Sequence, residues 1–140
     1  MPDTTQYGVI PFREEKDGGV RVLLITSRET KRWVVPRGNP IPGLGSAQSA
    51  AQEAWEEAGI RGGLASVPLG TYTYDKRLKD GGTRPTQVEL YRMLVTEEAD
   101  AWPEKDERER RWFEPEAAAA VVAEPDLAEL LLGMARSARG

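Results

Sequence analysis

Three glutamates, Glu53, Glu56 and Glu57, are spaced so that their carboxylates could act together in one site. They fall within residues 46–58, an alanine-rich stretch for which the sequence predicts a helix. At about 3.6 residues per turn the three glutamates share one face of that helix, whereas the alanines lie on another. One face is therefore suited to packing, and the other concentrates negative charge.

This acidic face has two interpretations. On an exposed helix, like charges at this spacing cost only about 0.2–0.5 kcal/mol per pair, so three glutamates are often no more than a solvated surface. Partly shielded from water, carboxylates about 5–6 Å apart would repel by about 3 kcal/mol per pair, and a bound cation would remove that cost. Oxygen ligands without His or Cys favour Mg²⁺ or Mn²⁺, and Mg²⁺ commonly takes its remaining ligands from water and substrate phosphates.

The stretch before the helix favours the metal site. Trp33-Val34-Val35 has the composition of a strand, and a loop rich in turn-forming residues follows it. These residues are Pro36, Gly38, Pro40, Pro42, Gly43 and Gly45. A loop of this kind could hold a backbone carbonyl near the carboxylates and so add an oxygen ligand.

The order Gly38, Glu53, then Glu56-Glu57-Ala58-Gly59-Ile60 resembles the Nudix box, the signature of hydrolases that cleave nucleoside diphosphates linked to another moiety. The resemblance implies a single Nudix-like hydrolase domain over residues 1–140. It also implies an α/β fold of the α/β/α sandwich type, in which a mixed β-sheet lies between helices.

The resemblance further implies metal-dependent hydrolysis of a phosphoanhydride bond by water, with Mg²⁺ or Mn²⁺ as the cofactor. Glu53 and Glu57 would hold the metal with help from the Gly38 carbonyl. Glu56 would be the catalytic residue, either holding a second ion or accepting the proton from water. The identity of the general base and the number of ions stay open at this point.

Two residues depart from the family pattern. Leu44 stands where the pattern has its first Glu, and Gln52 stands where it has Arg. Gln52 can still donate a hydrogen bond to a carboxylate, but it brings no charge. These departures motivate an alternative, a Nudix-like nucleotide-binding or regulatory module with weak or no hydrolase activity. The intact Glu53, Glu56 and Glu57 argue against that alternative.

Three further motifs resemble the group of diphosphoinositol polyphosphate phosphohydrolases, whose members also cleave dinucleoside polyphosphates. The motifs are Thr26-Ser27-Arg28, Arg32-Trp33-Val34-Val35-Pro36-Arg37-Gly38 and Arg108-Glu109-Arg110-Arg111-Trp112-Phe113. The resemblance places substrate contacts at Arg28 and Arg108. It does not choose among diphosphoinositol phosphates, dinucleoside polyphosphates and sugar or simple nucleotides.

Basic residues crowd on both sides of the acidic helix, in residues 28–37 and in residues 76–84. Isolated surface charges would look the same, but basic clusters beside an acidic metal site suit a small polyanion that the metal bridges. The residues expected to bind a small polyphosphate substrate are Ser27, Arg28, Arg37, Lys76, Arg77 and Arg108.

Composition narrows the classes of function. The chain has 140 residues, 39% of them hydrophobic and 30% charged, which fits one globular domain. It has no Cys and no His, which removes thiol nucleophiles, imidazole bases and the usual zinc sites. A net charge of −4 argues against nucleic acid and anionic membranes as partners. No secretory signal or membrane span is recognised, so a cytoplasmic location is expected. The resemblance to the Nudix family, in which dimers are common, leaves a monomer or a homodimer open.

The remaining pattern mixes strands with helices, which is typical of an α/β fold. Residues 7–12 and 20–25 are predicted to form a hairpin of two strands. Residues 64–74 and 86–96 are predicted to form a second pair, joined by a loop over residues 75–85.

Ser46 is the expected N-cap of the acidic helix, and Gly59 is its expected stop. Residues 97–111 are highly charged and are interpreted mainly as a solvated connection. Scaffold helices are expected after Pro115 and after Pro125. Reserve candidates for a base or an extra metal ligand are Glu89, Glu104, Asp106 and Glu107.

Overall fold

The structure is a computed structural model and describes residues 4–138. Both ends of the predicted domain, residues 1–3 and 139–140, lie outside the described residues. Most of the N-terminal stretch in which no secretory signal is recognised, residues 1–4, lies outside them too. The strands are β1 Thr4–Glu14, β2 Val20–Thr26, β3 Trp33–Val34, β4 Arg37–Gly38, β5 Ile60–Leu64, β6 Gly70–Arg77, β7 Thr83–Glu98 and β8 Arg110–Phe113. The helices are α1 Ser46–Ala58, α2 Pro115–Val121 and α3 Pro125–Ala138, with a 3₁₀ turn at Lys105–Glu107.

Within residues 4–138 these eight strands form one mixed sheet. Its main order is β3-β2-β1-β7-β5, while β4 pairs with β1, β6 with β7 and β8 with β2. The two long central strands, β1 and β7, run parallel from the pair Thr4 and Thr86 to the pair Phe12 and Leu94. The other pairings are antiparallel.

Helices cover both faces of the sheet. On one face Ala50, Ala54 and Ala58 of α1 pack against side chains such as Val9 and Ile25. On the other face α2 and α3 contribute the buried residues Ala118, Leu127, Leu131 and Met134. The predicted α/β/α sandwich with a mixed sheet between helices is therefore confirmed. No helix within the described part of the chain is long and apolar enough to span a membrane.

The prediction for residues 64–85 is wrong in two places. Residues 64–74 are not one strand, because β5 ends at Leu64 and β6 begins at Gly70. Residues 75–85 are mostly paired strand instead of loop, with Asp75 opposite Pro85 and Arg77 opposite Thr83. This hairpin end is largely exposed, so its charged side chains reach water without breaking the ladder. Gly81, with φ of +91°, lies in the short turn that remains.

Helix α1 has the predicted bounds, but Ser46 is not its N-cap. The N-cap is Gly45, whose N–H donates to the side-chain oxygen of Gln48 over 3.1 Å. The Ser46 hydroxyl is hydrogen bonded to the Tyr91 hydroxyl at 2.7 Å, which joins the first turn of α1 to the sheet. Gly59 ends the helix in the left-handed conformation, as predicted.

Candidate active site

The buried alanines of α1 determine where its glutamates point. Ala50, Ala54 and Ala58 are fully buried against the sheet, which fixes the rotation of the helix about its axis. Glu53 and Glu56 are consequently half-buried at the edge of the packed face, and Glu57 is only 8% exposed. The acidic face is therefore not the solvated surface that charge alone would suggest.

Gly38 lies directly against the Glu53 carboxyl group. Strand β4 holds Gly38 opposite Tyr7 of β1, and any side chain at Gly38 would occupy the space of the Glu53 carboxyl carbon. The proline- and glycine-rich loop thus brings backbone next to a carboxylate, which is the arrangement that the sequence indicated.

Glu57 is held by the backbone of Arg37 and by Arg108. Its carboxylate accepts a hydrogen bond from the Arg37 N–H over 3.2 Å, and the Arg108 guanidinium lies 3.8 Å from its other oxygen. Arg108 also donates to Glu104 over 2.8 Å and to the carbonyl of Thr26 over 3.1 Å. This arginine, 9% exposed, therefore ties two carboxylates to the end of β2.

Burial and crowding make these carboxylates unusual acids. Burial raises the pKa of Glu57 to about 8, against the opposing attraction of Arg108. Burial, followed by the neighbouring charges of Glu56 and Glu104, raises the pKa of Glu53 to about 7. A site that penalises its own negative charge in this way favours a bound cation.

Glu56 has a different set of contacts. One carboxylate oxygen accepts a hydrogen bond from the Gln52 side chain over 2.8 Å, as expected for a residue that replaces the family arginine. Its backbone carbonyl accepts a hydrogen bond from the Glu104 N–H over 3.0 Å. The position of Glu56 is thus coupled to the segment that carries Glu104.

The interpretation of residues 97–111 as a solvated connection is wrong for its key residues. The Trp102 ring packs on Gly59, and its indole N–H donates to the Glu57 carbonyl over 3.2 Å. Arg110 lies over the same ring at 4.1 Å and donates to the Ala58 carbonyl over 2.9 Å. Trp102 and Arg110 therefore pack against the C-terminal end of α1. The local charge pattern does not predict these contacts, because they join residues far apart in the sequence.

The structure also separates the reserve candidates. Arg108 connects Glu104 to Glu57, and the negative charge of Glu104 helps to raise the pKa of both Glu53 and Glu57. Glu107 is paired with Arg28 at 3.4 Å, and Asp106 is exposed. Glu89 accepts a hydrogen bond from the Tyr91 hydroxyl, which connects it to Ser46 at the first turn of α1. Glu104 is therefore the reserve candidate that joins the acidic site.

A cavity of about 200 Å³ lies beside Glu57, and four of the six predicted substrate-binding residues line it. The four are Ser27, Arg28, Arg37 and Arg108, and the other lining residues are Gln6, Val34, Val35 and Tyr74. We refer to this space as the catalytic cavity. It brings three arginines from distant parts of the chain to the edge of the acidic helix.

The two remaining predicted residues differ from each other. Lys76 lies 3.3 Å from the side-chain oxygen of Asn39, which also accepts a hydrogen bond from Gln6. Because Gln6 lines the cavity, Lys76 is connected to the cavity through Asn39 but does not line it. Arg77 is exposed and points to the opposite face of β6, because side chains alternate along a strand. The structure does not bring Arg77 to the site.

Arg37 is held by two tyrosine side chains. Its guanidinium lies over the Tyr74 ring at 3.9 Å and donates to the Tyr72 hydroxyl over 3.1 Å. The Tyr74 hydroxyl in turn donates to Gln6 over 2.9 Å. Sequence reasoning missed Gln6, since its place in the site follows only from the parallel pairing of β1 with β7 and the pairing of β6 with β7.

The donors around α1 fit a divalent metal. Gly38, Glu53, Glu56 and Glu57 offer only oxygen atoms, which is the ligand type that Mg²⁺ and Mn²⁺ prefer. Among residues 4–138 no three acidic side chains already converge as a metal-binding group. Mg²⁺ does not need such a cage, because it commonly keeps waters and completes its ligands with substrate phosphates.

Comparison with known proteins gives a consistent result. A family model described as the NUDIX domain matches residues 4–132. The chain is 32% identical over 121 residues to "Nudix hydrolase 12, mitochondrial" of Arabidopsis thaliana, covering 76% of this chain and 60% of that protein. It is also 32% identical over 113 residues to human "Diphosphoinositol polyphosphate phosphohydrolase 3-beta", covering 79% of this chain and 64% of that protein. The chain thus spans less than two thirds of these two relatives.

Two solved structures show the same fold. A Caenorhabditis elegans Ap4A hydrolase in a binary complex superposes with a TM-score of 0.71 at 21% identity, covering 98% of each chain. The NUDIX domain of Shewanella oneidensis NrtR, solved with ADP ribose, also has a TM-score of 0.71, at 14% identity, covering 100% of this chain and 90% of that one. At these identities the likeness concerns the fold alone.

Proposed function

The chain belongs to the Nudix family, and from that premise we propose that it is a metal-dependent hydrolase of phosphoanhydride bonds. The substrate is a small polyphosphate, either nucleotide-like or a diphosphoinositol polyphosphate. The name of one relative, a diphosphoinositol polyphosphate phosphohydrolase, supports the second substrate type, and the Nudix family pattern of hydrolases that act on nucleoside diphosphates supports the first.

The observation that carries this proposal is the meeting of cations and carboxylates at one place. Arg28, Arg37 and Arg108 line the catalytic cavity together with Glu57 of the acidic helix. Arginines bind phosphate through paired N–H groups, and the carboxylates beside them suit a divalent ion. A phosphate chain in the cavity would therefore lie beside the acidic site that is to cleave it.

Each part of the site has a distinct task. Gly38, Glu53, Glu56 and Glu57 would hold the divalent metal, Mg²⁺ or Mn²⁺, which when bound activates water and screens phosphate charge. Arg28, Arg37 and Arg108, together with Ser27, would orient the phosphates and neutralise their charge. Lys76 would extend this positive surface beyond the cavity, through Asn39 and Gln6.

The bond changes are those of a hydrolysis. The oxygen of water bonds to phosphorus, the bridging phosphorus–oxygen bond breaks, and its electron pair leaves with the departing phosphate. Glu56 is the proposed acceptor of the proton from water, because the hydrogen bond from Gln52 fixes its carboxylate in orientation. Glu104 is the second candidate for that role, since it faces Glu53 and Glu57.

A binding module is the second candidate function. Gln52 favours it, because a neutral amide holds Glu56 less strongly than the charged arginine of the family pattern would. In that case the chain would bind a nucleotide in the catalytic cavity and hydrolyse it slowly. The expected cytoplasmic location and the expected monomer or homodimer stay predictions.

The first experiment measures phosphate release with Mg²⁺ or Mn²⁺ on diadenosine polyphosphates, diphosphoinositol polyphosphates, ADP-ribose and nucleoside triphosphates. We expect Glu56→Gln to lower kcat by about 10²–10⁴ while the melting temperature changes little. Glu129→Gln is the matched control, since Glu129 is an exposed acid on α3, on the opposite face of the sheet from α1.

Unchanged turnover in Glu56→Gln together with a loss in Glu104→Gln would move the proton acceptor to Glu104. No turnover in the native protein, with tight binding of one compound by calorimetry, would favour the binding module. Gln52→Arg would then test whether the family arginine restores hydrolysis.

A further inference from the structure

One segment of the chain, residues 99–110, binds the C-terminal end of α1. The carbonyls in the last turn of an α-helix have no partner within the helix and must find one elsewhere. In α1 the Trp55 carbonyl accepts the N–H of Gly59, which follows the helix. The next three carbonyls accept hydrogen bonds from the segment, at Glu56 from the Glu104 N–H over 3.0 Å, at Glu57 from the Trp102 indole over 3.2 Å and at Ala58 from the Arg110 guanidinium over 2.9 Å.

Two side chains give this segment its register on α1. Arg110 lies over the Trp102 ring at 4.1 Å and also donates to the Ala99 carbonyl over 2.8 Å. The Ala99 N–H in turn donates to the Gly59 carbonyl over 2.8 Å. Because these bonds are made at successive residues of the helix end, a shift of the segment along α1 would break several of them at once.

The same segment carries two side chains of the acidic site. Glu104 and Arg108 flank the 3₁₀ turn Lys105–Glu107 and are joined at 2.8 Å. Arg108 lines the catalytic cavity beside Glu57, and the charge of Glu104 helps to raise the pKa of Glu57. Neither side chain belongs to α1, so their distances from its carboxylates depend on the register of the segment.

We propose that Trp102 and Arg110 are positioning residues of the acidic site. By fixing the register of residues 99–110 on α1, they hold Glu104 and Arg108 beside the carboxylates that would bind the metal. Both act through the backbone carbonyls of α1 and are not catalytic residues. This inference rests on the proposed function, because it assigns the residues that join the two parts of that site.

Trp102→Phe tests this role, because it keeps an aromatic ring in place and removes the N–H that binds the Glu57 carbonyl. Trp112→Phe is the matched control. The Trp112 indole also donates to an oxygen, that of the Glu98 side chain over 3.1 Å, and Arg13 lies over its ring at 4.4 Å. The control thus removes the same kind of hydrogen bond from a tryptophan of β8 that does not line the catalytic cavity.

A double-mutant cycle on Mn²⁺ affinity reports where the Glu104 carboxylate lies. Electron paramagnetic resonance measures Mn²⁺ binding without substrate. In the native protein Glu104→Gln should weaken binding by about fivefold, because a nearby negative charge attracts the ion. In the Trp102→Phe background the same change should weaken binding by less than about twofold, since the carboxylate is no longer held there. In the Trp112→Phe background Glu104→Gln should keep its full effect.

Turnover gives a second comparison. Trp102→Phe should lower kcat by about two- to tenfold, the size expected for one lost hydrogen bond, with a smaller change in KM. Arg110→Lys keeps the charge but loses the planar fork that binds the Ala58 and Ala99 carbonyls together, so it should act in the same direction. If Trp102→Phe does not fold, Arg110→Lys takes its place in the cycle.

The cycle separates this inference from the proposed function. Loss of the Glu104→Gln effect in the Trp102→Phe background supports the inference, even if the native protein hydrolyses none of the compounds tested. Additive effects of the two changes, or no effect of Glu104→Gln in the native protein, overturn the inference and leave the proposed function standing. A native protein that binds no Mn²⁺ overturns both.

Discussion

The folded protein favours the protonated forms of Glu53 and Glu57, because it raises the pKa of both carboxyl groups. Glu57 is nearly buried, its carboxylate accepts a hydrogen bond from the Arg37 N–H, and the Arg108 guanidinium lies beside it. Glu53 is pressed against Gly38 and faces other acids. Burial is the main cause that raises the pKa of both carboxylates, and the charges of Glu56 and Glu104 add to it for Glu53, so a divalent cation would offset the cost of charging them.

The cost of burying these charges predicts how stability depends on pH. The pKa of Glu57 is raised by burial to about 8 and that of Glu53 to about 7, against an ordinary value of 4.5 in the unfolded chain. The folded state therefore binds these protons more tightly than the unfolded state. Their stabilising contribution is complete below pH 4.5 and is lost as the pH rises through about 7 and 8.

In the metal-free protein the melting temperature should consequently fall between about pH 5 and pH 9, and Mg²⁺ should raise it more at the upper end of this range. Thermal unfolding followed by circular dichroism, with chelator or with Mg²⁺, measures both effects. Glu57→Gln is the control, since it keeps the shape of the side chain and removes its titration. A melting temperature that rises with pH in the metal-free native protein would contradict this account.

At the scale of elements, the end of α1 depends on a close contact between Gly59 and Trp102. Gly59 has a φ of +67°, and a Cβ atom there would lie 2.5 Å from the Trp102 ring. The same ring donates its N–H to the Glu57 carbonyl. The glycine is needed both for the left-handed backbone and for the space that the indole occupies.

Gly59→Ala should therefore destabilise the fold by about 2–4 kcal/mol, since it combines backbone strain with a steric clash. Gly81→Ala is a matched control, because Gly81 has a φ of +91° and nothing lies within 4 Å of the added Cβ. That control should cost only about 1 kcal/mol, which is the strain alone. Urea unfolding measures both values, and equal losses would show that the contact with Trp102 has no energetic role.

Elements with a local signal could be predicted from the sequence. Helix α1 was bounded correctly because Gly59 and the turn-forming loop before it act locally. The segment around Trp102 is wrongly predicted to be a solvated connection, because its own composition is highly charged. The residue that Trp102 contacts, Glu57, lies more than forty positions earlier and gives no local signal. The pairing of β6 with β7 is predicted correctly, but the end of this hairpin is predicted as a loop over residues 75–85, since only the pairing shows that these charged residues belong to strands.

At the scale of the whole molecule, the sheet assembles the site from distant parts of the chain. Arg108 reaches the carbonyl of Thr26, 82 positions away, and Tyr74 reaches Gln6, 68 positions away. The sequence predicts the acidic helix, and four of the predicted substrate-binding residues line the cavity, of which Arg28 and Arg108 are predicted from the family resemblance. It could not predict Gln6, whose place beside Tyr74 depends on the pairing of both β1 and β6 with β7.

The same assembly places a positive cavity in a protein whose net charge is −4. Attraction of a polyphosphate is therefore local, and its range is limited by salt to about 10 Å at 0.1 M. Arg28 is 57% exposed, so salt should screen its attraction to phosphate. Arg37 is enclosed by Tyr72 and Tyr74, and salt should screen it much less.

The two arginines should therefore differ in their response to ionic strength. In the native protein kcat/KM for a dinucleoside polyphosphate should fall as salt rises, largely through KM. Arg28→Gln should make that dependence shallower, because it removes the screened charge. Arg37→Gln should lower kcat/KM by a larger factor at every salt concentration and keep a slope close to that of the native protein. Steady-state kinetics between about 0.05 and 0.5 M NaCl measures the slopes, and equal slopes for the two variants would show that burial does not distinguish these cations.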